Sequence, residues 1–181
     1  KRGLNLSMIR LNCGSSDYAT ELYNYNDTKN DVEMKSFSVA RDELYMIPII
    51  KQIPQYCPEI YTFSSIWSVP GWMKSNGQMC GGKLLDEYMP AFANYWSAYV
   101  KAYAERGIKI DAVTVQNEPL TDQGGGCPAT LVSTKQEIEL AGKLMPEAFK
   151  RDGLDTKIWI HDHNYKAYER VIELIKNKQV I

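Results

Sequence analysis

Ile110-Asp111-Ala112-Val113-Thr114-Val115-Gln116-Asn117-Glu118-Pro119 begins as an apolar run and ends in an amide, a carboxylate and a proline. Ile110, Val113 and Val115 have the β-branched character of a buried strand, and Pro119, with fixed φ and no N–H, ends the pairing. A carboxylate therefore stands at the carboxyl end of a strand. In α/β proteins ligands bind at that edge, so Glu118 is a candidate for chemistry. The plainer alternative is that Asn-Glu-Pro only opens the next loop.

Working outward, strand patterns recur upstream and downstream. Leu4–Leu11 alternates as a first strand and is broken by Asn12-Cys13-Gly14-Ser15-Ser16-Asp17, with Arg10 near its carboxyl end. Tyr61–Ile66 is a second strand running into Trp67-Ser68-Val69-Pro70-Gly71-Trp72-Met73-Lys74, Ile110–Gln116 the third, and Thr156–Ile160 a fourth ending in His161-Asp162-His163-Asn164. Helical spacing fills the intervals. Leu44, Ile47, Ile50 and Ile53 follow the helix-starting oxygens of Ser38 and Asp42, with Pro48 predicting a kink or late start. Leu85, Tyr88, Met89, Phe92, Tyr95, Trp96, Tyr99, Val100 and Tyr103 form one apolar face, stopped at Gly107. A third helix runs from a Ser133 or Thr134 cap to about Arg151, complicated by Pro146 and stopped at Gly153. The last, Tyr165–Lys178, presents Tyr168, Val171, Ile172 and Ile175 on one face.

This alternation without hairpin signals predicts a parallel sheet with right-handed crossovers. Long loops follow the strands and short ones follow the helices, the asymmetry of a (β/α)8 barrel of TIM type. Four βα units in 181 residues fall short of the ~250 such a barrel needs. The expectation is one unit over residues 1–181, either a small open α/β domain or half of a barrel.

Composition narrows the function classes. With 44% apolar and 24% charged residues the chain can bury a core, and a formal net charge of −1 gives no electrostatic reason to expect nucleic acid or an anionic membrane. No apolar stretch approaches the ~20 residues of a membrane span. Cys13, Cys57, Cys80 and Cys127 show no Cys-x-x-Cys spacing and only two histidines are present, which argues against structural zinc. His161 and His163 point opposite ways in an extended segment, so a metal there requires a turn. Cys80 and Cys127 lie in Gly-rich loops that, if they face each other, would allow a disulfide. Gly124-Gly125-Gly126 has no following lysine and no dinucleotide spacing, and no Gly-x-Ser-x-Gly elbow is present. The 12 Tyr and 4 Trp against 4 Phe suit either ordinary packing or partly wet clefts that stack on sugars. Trp67 and Trp72 form either a hydrophobic clasp or a sugar platform, with composition favouring the clasp. Asn26-Asp27-Thr28 fits a glycosylation sequon. A carboxylate pair around a sugar, with Glu118 as one member, is the best-supported chemistry.

Thr114–Pro119, preceded by Ser64–Lys74 and by Ile9-Arg10-Leu11, closely resembles glycoside hydrolase family 30, in particular its glucosylceramidase-like members. Tyr23–Thr28 and Trp159–Asn164 extend the resemblance through essentially the whole chain. The resemblance implies a retaining β-glycosidase working by double displacement without a cofactor or metal. Its substrate would be a β-linked glucoside, glucosylceramide or a β-glucan, the endo-β-1,6-glucanases being the alternative within the family. On it, Glu118 is the general acid/base and its carboxyl must be raised to act as acid. Asn117 bonds the sugar 2-hydroxyl, Asp17 and Trp67 hold the non-reducing sugar, Arg10 orients the nucleophile, and Asp162 is a strand-end residue without a specified role. The four strands resemble the second to fifth of the family barrel, so the nucleophilic Glu is expected in a missing remainder. The isolated chain is then inactive or a carbohydrate-binding fragment. A secreted, lysosomal or other extracytoplasmic location also follows from the resemblance.

Overall fold

The computed structural model describes residues 5–178 and 180. Lys1–Leu4, the expected lead into the first strand, lie outside the described residues. Four strands, β1 (Met8–Cys13), β2 (Tyr61–Ile66), β3 (Ala112–Thr114) and β4 (Lys157–Trp159), form a parallel sheet in sequence order. Sequence order with one helical layer is barrel topology, because a doubly wound sheet reverses its strand order. Four βα units of a TIM barrel are thus in place.

The register assigns the two faces. Arg10 pairs with Phe63, Asn12 with Ser65, Phe63 with Ala112 and Thr114 with Trp159, so these side chains share the concave face. Leu11, Cys13, Ser64, Ile66 and Val113 turn to the helices and are buried. On the concave face an aromatic layer lies low, Trp159 stacking on Tyr61 at 5.8 Å and meeting Phe63 at a tilt at 5.0 Å. Above it, toward the carboxyl ends, the layer is polar.

Helix α2 (Met89–Ala104) follows its periodicity. Phe92, Tyr95, Trp96, Tyr99 and Tyr103 are fully buried, and Gly107 at φ +75° ends the helix while Ile108 N–H returns to Tyr103 O. The first helical segment is broken as Pro48 requires: a 3-10 turn at Asp42–Leu44, α1 (Met46–Ile50), then another 3-10 turn at Ile53–Gln55. The third helix is capped by Ser133, whose Oγ accepts from Gln136 N–H while the Gln136 side chain returns to Ser133 N–H. It divides into α3 (Thr134–Glu139), a π-helical turn at Leu140–Leu144, and α4 (Met145–Arg151). The π-turn immediately precedes Pro146, whose missing N–H interrupts the regular ladder. Gly153, at φ +68°, stops α4. The last segment is a 3-10 turn at Tyr165–Ala167 and α5 (Tyr168–Lys176).

Three local expectations are corrected. Asp42 caps nothing. It is fully buried, and its carboxylate accepts from the hydroxyls of Tyr25 at 2.6 Å, Tyr103 at 2.7 Å and Tyr23 at 3.4 Å. Burial raises its pKa and the three phenols oppose the shift. Much of the tyrosine excess is this cluster, with Tyr25 stacked on Tyr95 and Tyr99. Asn26 is 2% exposed, and its Nδ2 donates to Asp31 Oδ2 at 3.0 Å, so the sequon is folded inside. Tyr168 and Ile175 are exposed, whereas Leu174 and Arg170 make the inner face of α5.

Candidate active site

The polar layer gathers at the carboxyl edge of the sheet. Arg10, on β1, donates from Nη2 to Asn117 Oδ1 at 2.7 Å and to Asp162 Oδ2 at 2.6 Å, and from Nε to Ser65 Oγ at 3.0 Å. Asp162 Oδ2 also accepts from Ser65 Oγ at 2.8 Å and has Thr114 Oγ1 at 2.8 Å. Thus Arg10, Ser65 and Thr114, from β1, β2 and β3, surround one carboxylate oxygen of Asp162 beyond the end of β4. The Asp162 charge holds the guanidinium, and the guanidinium fixes the Asn117 amide. With Oδ1 turned to Arg10, the two Nδ2 protons of Asn117 are left for an acceptor. Ser65 and Thr114 are not among the residues singled out in the sequence. Their signal is a hydroxyl on the inward phase of a strand, at the pleat positions shared with Arg10.

The chain kinks at Glu118. Asn117 N–H bonds Ile66 O at 2.9 Å and Glu118 N–H bonds Asp162 O at 2.7 Å, so the segment after β3 stays stitched to both neighbours as far as Glu118. Glu118 then adopts φ +45°. A left-handed conformation at a non-glycine residue is disfavoured and gathers at functional sites. Here Pro119 follows immediately, and the Glu118 carboxylate, partly exposed, accepts from Gln123 Nε2 at 2.6 Å.

Trp67 is 9% exposed, and the Arg10 guanidinium stands 4.8 Å from its ring centroid. Its backbone is anchored where Gln116 Nε2 donates to Trp67 O at 2.7 Å. Trp72 does something else: its Nε1 donates to Asn26 O and its ring meets Tyr88 edge-on at 5.2 Å. The tryptophan pair therefore divides, Trp72 clasping a loop and Trp67 standing at the strand end.

Asp17 is exposed in a turn after β1. Asp17 and Glu118 both act on the Cys127 thiol, which is pushed up by burial and then by Asp17, Cys80 and Glu118. The two Gly-rich loops do face each other, Cys80 bridging to Pro128 and Ala129 N–H bonding Met79 O at 3.2 Å, with both thiols free. At the end of β4 the chain turns, His163 N–H bonding His161 O at 2.9 Å, and the two imidazole centroids lie 6.4 Å apart. His161 N–H is held by Glu137 Oε1 at 2.7 Å, and Glu137 in turn pairs with Arg170.

At this edge an amide oriented by a guanidinium, a strand-end carboxyl and the rim of a largely buried tryptophan come together, groups of the kind that hydrogen-bond an oxygen-rich ligand. No helix among the described residues is long and apolar enough to cross a membrane.

Comparison with known proteins bears on which chemistry this is. The model of the glycosyl hydrolase family 30 TIM-barrel domain matches residues 1–168. The endo-1,6-beta-D-glucanase of Neurospora crassa is 33% identical over 169 residues, which are 90% of this chain and 35% of that protein. The lysosomal acid glucosylceramidase of Mus musculus is 33% identical over 182 residues, 96% of this chain and 35% of that protein. Among solved structures, SrfJ from Salmonella typhimurium superposes with a TM-score of 0.90 at 28% identity, covering 96% of this chain and 39% of that one. The endo-beta1,6-glucanase BT3312 gives 0.88 at 26% identity, with 96% and 41% covered. The chain spans about a third of the length of the curated relatives it matches, 33% to 37% of the first four.

Proposed function

Because this chain belongs to glycosyl hydrolase family 30, we propose that it supplies the acid/base half of a retaining β-glucosidase site, with Glu118 protonating the departing glycosidic oxygen and then activating water. The observation that carries this reading is the Asn117–Glu118 kink at the carboxyl end of β3, where an amide clamped by Arg10 adjoins a carboxyl group. Asn117 Nδ2 would donate to the sugar 2-hydroxyl, a contact that strengthens as the oxocarbenium-like transition state forms. Trp67 would receive one face or edge of the glucose ring, and Asp17 would take its hydroxyl protons.

Retention requires a second carboxylate about 5–5.5 Å from the first. Asp162 is committed to Arg10, and Asp17 is assigned to the sugar. The nucleophile would therefore come from beyond these four βα units, with Arg10 orienting it. The substrate class is a β-linked glucoside, with glucosylceramide and β-1,6-glucan as the two forms that the named relatives act on. The same likeness supports a lysosomal or secreted location.

The experiment is hydrolysis of an aryl β-glucoside, of glucosylceramide and of β-1,6-glucan by the natural polypeptide carrying this sequence and by its Glu118→Gln variant. Loss of general acid/base catalysis should lower kcat by about 10²–10⁴-fold, least for aglycones that leave without protonation. The 181-residue chain assayed alone should be inactive. A Glu118→Gln enzyme of undiminished rate would defeat the assignment, and activity of the isolated chain would defeat the external nucleophile.

A further inference from the structure

Removing an ammonium group from water is costly unless all three of its donors are satisfied. Lys74 is 3% exposed. Its Nζ donates to Ser68 Oγ at 2.9 Å, Met79 O at 2.7 Å and Ala129 O at 2.7 Å, so three protons meet three oxygens and no carboxylate. Two of the acceptors lie in the segment following β2 and the third in the segment following β3. The same two segments are stitched around the amine: Leu84 N–H bonds Leu131 O at 3.0 Å, Leu131 N–H bonds Gly82 O at 2.9 Å, and Val69 N–H bonds Thr130 Oγ1 at 3.2 Å. Ser68 is the residue after Trp67, and the second segment is the one that descends from Glu118.

We propose that Lys74 is a positioning residue for the sugar site, clasping the loop that carries Trp67 to the loop that descends from Glu118. The inference rests on the glycosidase reading and adds to it a residue that touches no reacting group. The physical demand is specific: the ring that receives the sugar and the carboxyl that protonates it belong to different strands. Beyond the sheet these loops join them in addition to the Gln116–Trp67 bond, and a slack clasp loosens the ring's hold on the bound sugar.

The clasp is also sensitive to pH. Burial holds the Lys74 amine down from 10.5 to about 7. The ionisable group acting on it is the Cys80 thiol, on its own loop, which opposes that shift. As the amine deprotonates, two donors face three oxygens and a lone pair turns toward one of them, so the clasp slackens on the alkaline side of neutrality.

Lys74→Met, which keeps the stem and removes the donors, tests this in the natural polypeptide. KM for an aryl β-glucoside near pH 5.5 should rise about five-fold or more while kcat changes less than about two-fold, as loss of ground-state positioning predicts. The wild-type KM should climb toward that of the variant above about pH 7, and the variant's should stay flat. Lys74→Gln, with two donors, serves where Met prevents folding and should give an intermediate KM. A folded variant whose KM tracks the wild type overturns the proposal, as does a fall in kcat at constant KM. If the wild type hydrolyses no β-glycoside, it is the glycosidase reading that has failed, and hydrogen exchange in the 181-residue chain decides the clasp. Exchange about ten-fold faster at the Leu84, Ala129 and Leu131 amides, with Met8–Cys13 unchanged, supports it, and unchanged protection overturns it.

Discussion

Asp162 is the residue on which the edge of the sheet turns. One of its oxygens takes Arg10 and Ser65 and lies against Thr114, and its backbone carbonyl takes Glu118 N–H. It thereby touches every strand of the site without facing a substrate. Asp162→Asn keeps the shape and removes the charge, which frees the Arg10 guanidinium to leave Asn117. The expected result is a loss in kcat/KM of about ten-fold or more, with stability lowered by only about 1 kcal/mol because the ion pair is partly open to solvent. Steady-state kinetics beside thermal unfolding separates the two effects, and a larger loss in stability than in activity would mark Asp162 as scaffold only. At this scale the sequence marks Glu118 and Asn117 as candidates, because a strand that ends in Asn-Glu-Pro sets an amide and a carboxylate at the edge of the sheet. It could not announce Ser65, Thr114 or the tyrosine partners of Asp42. Those roles depend on contacts spanning 48 to 97 residues for Thr114 and Ser65, and 17 to 61 for Asp42, and a serine or threonine in a strand carries no local mark of its partner.

At the scale of elements, the end of β4 is held by helices through a buried ion pair. Glu137 on α3 is fully buried and Arg170 on α5 is 6% exposed. Glu137 Oε2 accepts from Arg170 Nε at 3.1 Å and Nη2 at 2.5 Å, while Oε1 accepts from His161 N–H at 2.7 Å. Arg170 also reaches Thr134 Oγ1 and Val132 O, each at 3.0 Å. Glu137→Gln leaves the guanidinium buried without its counter-charge and should lower stability by about 3–5 kcal/mol, read as a drop in the urea midpoint at unchanged slope. Glu137→Met combined with Arg170→Met should recover much of that loss, since no charge is then left unpaired. The pair escaped notice in the sequence because both residues occur where amphipathic helices ordinarily carry solvated charge. By contrast the long apolar face of α2, the Pro48 break and the glycine stops at 107 and 153 were legible, each being decided by local stereochemistry. Strand limits were read too long: β3 is Ala112–Thr114 rather than Ile110–Gln116, since apolar character extends beyond the ladder into the kink.

At the scale of the whole molecule, β1 and β4 each have one neighbour in the sheet. A barrel has no edges, because its first and last strands pair. Here the outer backbone groups of Met8–Cys13 and Lys157–Trp159 face away from the sheet, and the concave face they border bears Met8, 48% exposed, and the clustered rings of Tyr61, Phe63 and Trp159. Unpaired parallel edges beside an apolar layer are templates for another chain. The 181-residue chain should therefore self-associate reversibly, giving a weight-average mass above the monomer's 20.7 kDa by sedimentation equilibrium at tens of micromolar. Met8→Lys should weaken that association, because a lysine on an edge strand resists being covered. The substitution lies at the first residue of β1, two residues before Arg10, and should leave the fold intact by circular dichroism. A strictly monomeric wild-type chain across that range would mean that the edges are protected by some means other than pairing. Association unaffected by Met8→Lys would move the contact to β4, where Lys157 already stands on the inner face and a Trp159→Ala variant becomes the discriminating measurement.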